Sequence, residues 1–154
     1  MKNLFLFMAI TLVGLGGCSE KRSQPLAIDN SLTQEEIAAG VLSPEVMWKM
    51  GRVGLASLSP DASRLLYTVT WYNMQENRGV TAIYVRDAAS GEVAQLTDFS
   101  SNNSDPKWNA DGSKIYFLSD LSGSSQIWEM AADGQNPRQL SKLDKDIEGF
   151  GVNP

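Results

Sequence analysis

Histidine is absent from this sequence, and cysteine occurs once, at Cys18. Without histidine the chain has no general base that titrates near neutral pH, and it lacks the commonest metal ligand. A single cysteine excludes an intrachain disulfide and any CxxC metal site. Basic residues are in deficit as well: 13 Lys and Arg stand against 18 Asp and Glu, a net charge of −5. A nucleic-acid partner would need a basic face, so no such partner is expected. No cofactor is expected either. What is present suits one ordinary globular domain: 154 residues, 42 % apolar and 20 % charged.

The one long apolar run lies at the start. Lys2 precedes a run from Leu4 to Val13, the form of a secretory signal. The run is shorter than the ~20 residues a membrane-spanning helix needs. Leu15-Gly16-Gly17-Cys18 follows and resembles the bacterial lipobox. The resemblance implies a lipoprotein signal peptide over 1–17, cleavage before Cys18 and diacylglycerol on its sulfur. The alternative is an ordinary signal peptide with a chance cysteine. Two or three acyl chains anchor firmly, so the expectation is a protein of the cell envelope, held to a membrane through lipid on Cys18. Ser19 is not the Asp that marks inner-membrane retention in enteric bacteria, which points to the outer membrane. Residues 18–32 begin with polar Ser19-Glu20-Lys21-Arg22 and read as a flexible tether.

Residues 33–51 read as a helical prologue. Thr33-Gln34-Glu35-Glu36 has the capping-box form, and Gly40 ends that helix. Ser43-Pro44-Glu45 starts a second one: an N-cap, a proline at the first position and an acid in the first turn. Val46, Met47 and Met50 give it an apolar side, Trp48 anchors it to the body of the fold, and Gly51 is expected to stop it.

From Val53 the pattern becomes that of strands. Leu65-Leu66-Tyr67-Thr68-Val69-Thr70-Trp71, Ala82-Ile83-Tyr84-Val85 and Ile115-Tyr116-Phe117-Leu118 are β-branched and aromatic. Turn clusters separate such runs at about 8–12 residues, the spacing of all-β folds. The sequence then aligns with itself. Leu58-Ser59-Pro60-Asp61-Ala62-Ser63 matches Trp108-Asn109-Ala110-Asp111-Gly112-Ser113 at an offset of 50. Ile83-Tyr84-Val85 matches Ile127-Trp128-Glu129, and Gln95-Leu96-Thr97 matches Gln139-Leu140-Ser141, both at an offset of 44. The difference is assigned to a longer hairpin within Tyr72 to Gly79 of the first copy. Four strands in about 45 residues is the size of one propeller blade. The expected fold is therefore all-β: two four-stranded antiparallel blades, over 53–99 and 100–143. A third copy begins at 146–154 and breaks off in its first turn, which predicts a fragment of a longer propeller.

Ser59, Pro60 and Asp61, with Asn109, Asp111 and Gly112, are read as structural turn motifs. Proline presets φ, the aspartate bonds back to the backbone, and glycine takes the left-handed position. Ala62 stands where Gly112 stands, and predicts strain of about 1 kcal/mol. A calcium loop is rejected, because Lys107 and Leu118 occupy the places of its carboxylate ligands. Trp71, Tyr84, Trp108, Tyr116 and Trp128 are assigned to core between blades.

The repeat resembles the WD-like propeller motif of TolB and of the prolyl oligopeptidase family of serine peptidases. The stretch from Leu42 to Val85 narrows the resemblance to secreted bacterial members of the dipeptidyl-peptidase and acylaminoacyl-peptidase type. The features are the helix with Trp48, then Gly51-Arg52-Val53, Ser59-Pro60-Asp61 and the long hairpin. The resemblance implies a propeller that restricts short peptide substrates to a C-terminal α/β-hydrolase domain with a Ser-Asp-His triad. None of that triad can be carried over, since the chain has neither G-x-S-x-G nor histidine. No catalytic residue is expected here. The alternative is a non-enzymatic, TolB-like periplasmic lipoprotein that acts as a binding scaffold.

Overall fold

In the computed structural model residues 25–153 are described; the segment expected to be a signal peptide and Cys18 lie outside them. Helix α1 spans Gln34–Ala39 and α2 spans Pro44–Trp48. Eight strands follow: β1 Arg52–Leu58, β2 Arg64–Asn73, β3 Arg78–Asp87, β4 Val93–Gln95, β5 Asn103–Trp108, β6 Lys114–Ser119, β7 Gln126–Ala131 and β8 Arg138–Gln139. They form two four-stranded sheets, β1-β2-β3-β4 and β5-β6-β7-β8, antiparallel throughout. These are the two blades the repeat requires. In both, the inner strand carries a register irregularity, between Gly54 and Ala56 and between Ser104 and Lys107.

The long hairpin of the first blade is a longer ladder and not a longer loop. Its β2–β3 pairing runs from Arg64↔Asp87 to Asn73↔Arg78. The second blade's runs only from Lys114↔Ala131 to Ser119↔Gln126. The extra β-branched and aromatic residues, Thr70, Trp71, Val80 and Thr81, favour extension of the ladder. A tight turn closes it, with Asn77 at φ 48°.

Each blade is a meander, so its turns fall at two ends. The β1–β2 and β3–β4 turns share one, here the turn end. The β2–β3 hairpin and the crossing to the next blade share the other, the connector end. The blades lie side by side with turn ends together: a methyl group at Gly112 would stand 3.2 Å from Pro60 Cδ.

The core is the seam between the blades. Leu66 and Ile83 of the first blade meet Trp108, Ile115, Phe117 and Met130 of the second. Period-two alternation puts these residues on the facing sides. The opposite sides are covered only in part: Val53 and Leu58 on β1 are exposed there, while Val69, Val80 and Ala82 of the first blade and Leu118 of the second are buried. The five aromatics assigned to inter-blade core divide between the two sides of their sheets. Trp108 and Trp128 are in or against the seam. Trp71, Tyr84 and Tyr116 alternate to the outer sides, where Trp71 Nε1 donates to Tyr84 Oη at 3.1 Å and Tyr67 stacks on Tyr84.

The prologue forms with its caps as expected. Thr33 and Glu36 make the reciprocal capping box, and Gly40 takes a left-handed φ of 60°. Ser43 Oγ accepts from Val46 N–H. Gly51 does not stop α2, which ends at Trp48 with Lys49 as its C-cap. Glycine is needed at 51 because a Cβ would lie 2.6 Å from Val69 Cγ1 and 2.8 Å from the Trp71 ring. Of the apolar side, Val46 is buried while Met47 and Met50 stay exposed. Trp48 meets Tyr72 edge to face at 5.3 Å, and the Arg52 guanidinium lies over both rings. Within the tether read over 18–32, Leu26 and Ala27 are docked on the first blade and its connector. Leu26 is buried, its N–H donates to Phe99 O, and Ala27 O accepts from Asn73 Nδ2.

Candidate functional site at the inter-blade seam

The six turn residues sit at the turn end, where the blades touch. In the first turn Ala62 N–H donates to Ser59 O at 2.8 Å, and Ser59 N–H donates to Arg64 O at 2.8 Å. Asp61 Oδ1 accepts from Ser59 Oγ, Ser63 Oγ and Ser63 N–H. The second turn repeats this: Gly112 N–H donates to Asn109 O, Asn109 N–H to Lys114 O, and Ser113 N–H to Asp111 Oδ1. Asn109 Oδ1 takes the Lys114 N–H as Ser59 Oγ takes the Arg64 N–H.

Ala62 holds φ at 57°, beside 71° for Gly112. Left-handed backbone costs a non-glycine residue about 1 kcal/mol. Ala62 is exposed, so Ala62→Gly removes strain without opening a cavity. The expected result is a gain of about 1 kcal/mol, or roughly 3 °C in Tm. A calorimetric Tm at or below that of the parent would contradict it.

Hydrogen bonds hold the Asp61 carboxyl down at about 2, against an ordinary 3.8. Ser59 hydroxyl contributes most, then the N–H and hydroxyl of Ser63. A depressed carboxylate stabilises the fold above its unfolded pKa, and that contribution is lost as pH falls through the folded value. Asp87, Asp111 and Glu129 are lowered too. The urea midpoint therefore falls between about pH 4 and pH 2, and Asp61→Asn makes that fall shallower. An unchanged slope in the variant would refute the assignment to Asp61.

Local sequence did not reveal the contacts that lock one turn to the other. Arg64 Nη2 donates to Gly112 O at 3.0 Å, and its guanidinium lies 4.7 Å from the Trp108 ring centroid. The role of Gln-Leu-Thr/Ser was missed too, although the self-alignment contained it. Leu96 N–H donates to Ile83 O, Ile83 N–H to Thr97 Oγ1, and Gln95 Nε2 to Thr97 O. Leu140, Ile127, Ser141 and Gln139 repeat all three bonds. The motif ties the end of the outer strand to the third strand. A hydroxyl residue at the same place in both copies was the available signal.

Between inner strands β1 and β5 lies an open cleft of about 360 Å³. Leu55, Leu58, Pro106 and Trp108 give it apolar walls, and Lys107 is paired with Asp105 at 2.6 Å. Among the described residues no acceptor meets the buried indole N–H groups of Trp108 and Trp128. Among the described residues no three His, Cys, Asp or Glu side chains converge as metal ligands. The geometry is suited to contact: apolar walls, one ion pair, and turns whose polar groups are consumed in their own hydrogen bonds. Cys18, the lipidation candidate, lies outside the described residues.

Comparison with known proteins agrees with the two blades. The chain is 33 % identical over 153 residues to dipeptidyl-peptidase 5 of Porphyromonas gingivalis, covering 99 % of this chain and 21 % of that protein. It is 31 % identical over 123 residues to dipeptidyl-peptidase 5 of Porphyromonas endodontalis, covering 79 % and 18 %. The chain thus spans about a fifth of the length of these relatives. Acylaminoacyl peptidase of Pyrococcus horikoshii shares the fold, with a TM-score of 0.58 at 19 % identity over 70 % of this chain and 16 % of that one. The model of the TolB beta propeller domain matches residues 33–149. With two repeated antiparallel blades, a shared seam and a match over that span, the chain belongs to the TolB beta-propeller domain family.

Proposed function

We propose that the chain is the N-terminal propeller portion of a lipid-anchored serine peptidase that cleaves short peptides. The observation that carries this reading is the similarity to dipeptidyl-peptidase 5 along 99 % of the chain. That span takes in the prologue and the long β2–β3 hairpin as well as the blades. In this reading a C-terminal α/β-hydrolase domain supplies the Ser, Asp and His, and the propeller narrows entry so that only short peptides reach them. The present residues include no imidazole, so alone they cannot supply that triad. Cys18 carries the diacylglycerol that holds the protein in the cell envelope, at the outer membrane.

The test is to read the source DNA past codon 154. An open frame running through more blades to G-x-S-x-G, an Asp and a His supports the peptidase. A frame that ends after further blades without a triad favours the TolB-like scaffold. Anchoring is tested separately by metabolic labelling with palmitate. Label is expected on the chain and is lost in Cys18→Ser, with release into the soluble fraction. Label retained in that variant would refute lipidation at Cys18.

A further inference from the structure

We infer that Arg52 binds the C-terminal carboxylate of the short peptides this protein cleaves; the inference rests on the peptidase reading. The Arg52 guanidinium lies against two rings, with Cζ 4.7 Å from the Trp48 centroid and 4.5 Å from that of Tyr72. Stacking occupies the faces of a guanidinium and leaves the N–H groups in its plane able to donate. Among the described residues Arg64, Arg78 and Arg138 each meet an acceptor. The guanidinium groups of Arg52 and Arg86 meet none, and of these two only Arg52 is held by aromatic rings.

The first blade's departures from the repeat converge on this group. At the offset of 50, Arg52 and its cross-strand partner Thr70 correspond to Asn102 and Asp120. In the second blade that pair is closed on itself, because Asn102 N–H and Nδ2 donate to Asp120. In the first, Thr70 Oγ1 bonds to Thr81 Oγ1 instead, and Arg52 is left over. The longer β2–β3 ladder supplies Tyr72, whose ring lies on Gly79, where a Cβ would stand 2.9 Å from Cε1. The prologue supplies Trp48, and Gly51 seats the backbone before Arg52 against Val69 and Trp71. A guanidinium fixed before its ligand arrives loses less freedom on binding.

The acceptor comes from outside the two blades. Thr70 is on the same side of β2 as Leu66, which is in the seam. Arg52, paired with Thr70, therefore faces the side on which the second blade is already in place, and that blade offers it no acceptor. Strand β1 is exposed along its whole length and borders the cleft between the inner strands, so a peptide that reaches these strands has access to Arg52. The planar fork of an arginine fits a carboxylate through two parallel N–H···O bonds. An unmodified short peptide carries one such group at its C terminus. Holding that group favours peptides short enough to span from Arg52 to the reacting centre, which is the selection the peptidase reading assigns to the propeller.

The experiment measures kcat and KM of the product of the whole gene on matched sets of tetrapeptide acids and their C-terminal amides. The acids are expected to be cleaved with a kcat/KM about tenfold or more above that of the amides, the effect of one charge-assisted contact. Arg52→Gln is expected to remove the preference by raising KM for the acids, with the kinetics of the amides unchanged. Arg52→Lys keeps the charge and the ring contacts but not the fork, and is expected to show an intermediate preference. Hydrolysis of the amides reports folding in each variant. No preference in the parent, or a full preference kept in Arg52→Gln, would overturn the inference and leave the peptidase reading standing. Acid and amide hydrolysis falling together in both variants would also overturn it, and would make Arg52 a staple between α2 and the hairpin. A gene product that cleaves no short peptide overturns both.

Discussion

Phe117→Ala is expected to cost about 3–5 kcal/mol, the range for emptying a buried aromatic site. Phe117 is 2 % exposed and sits in the seam with Leu66 and Ile83 of the other blade. It pairs with Trp128 across β6 and β7. Truncation removes the ring's own burial and also leaves a void that neither sheet can fill, since both are fixed by their ladders. Typical domain stability is about 5–15 kcal/mol, so the variant is expected to lose much of its cooperative transition. Urea titration followed by tryptophan fluorescence reads the effect, because Trp108 and Trp128 line the same seam. Tyr116 supplies the control. It is the preceding residue on the same strand, points to the outer side and is only half-buried. Tyr116→Ala is expected to cost about 1 kcal/mol. Equal losses in the two variants would mean that the blades do not pack through this seam in solution.

The control depends on a distinction that the sequence made only halfway. Alternation in Leu65 to Trp71 and in Lys114 to Leu118 separates two sides of each sheet. It does not say which side another blade covers. That is why the assignment of five aromatics to inter-blade core could not separate Trp108 and Trp128, which belong to this seam, from Trp71, Tyr84 and Tyr116, which face the other sides of their sheets. The elements themselves were legible, because their signals are local: capping residues at Thr33 and Ser43, a left-handed position at Ala62 and Gly112, and strand-forming runs between turns. Self-alignment gave the number of blades from the same local information. Contacts between distant residues were not legible. Arg64 reaches Trp108 and Gly112 only once the blades are side by side. Gly51 looks like a helix stop because its neighbours are helical, while the reason for glycine lies on β2. The Leu26 dock was hidden for a related reason: one leucine in a polar stretch gives no periodicity. The turn residues proposed as structural lie together at one end, and their packing across the seam came only from the structure.

A second large effect lies where the repeat breaks. Residue 126 aligns with Ala82 of the first blade at the same offset of 44, and there the second blade has a buried glutamine. Gln126 is 1 % exposed. Its Nε2 donates to Ser124 Oγ, Leu143 O and Lys145 O at 3.1–3.2 Å. Its Oε1 accepts from Ser141 Oγ and Leu143 N–H, both at 2.9 Å. Residues 142–153 form no strand, so the backbone near Leu143 has this amide where a ladder would otherwise serve. Gln126→Leu keeps most of the volume and removes every one of these bonds. Leu143 and Lys145 are themselves exposed, so water recovers part of what their backbone groups lose, and the expected global loss is about 1–3 kcal/mol. The segment can also open locally to recover water, and then the loss shows first in hydrogen exchange at Leu143, faster by about 100-fold. Gln126→Met should behave like Gln126→Leu, since volume is not what matters here. Ala82→Gln in the first blade should not stabilise its connector, where Asn102 and Asp120 already bridge the loops. A Gln126→Leu chain with an unchanged urea midpoint and unchanged Leu143 exchange would show that the glutamine is replaceable, and that something other than its amide holds the connector to β7.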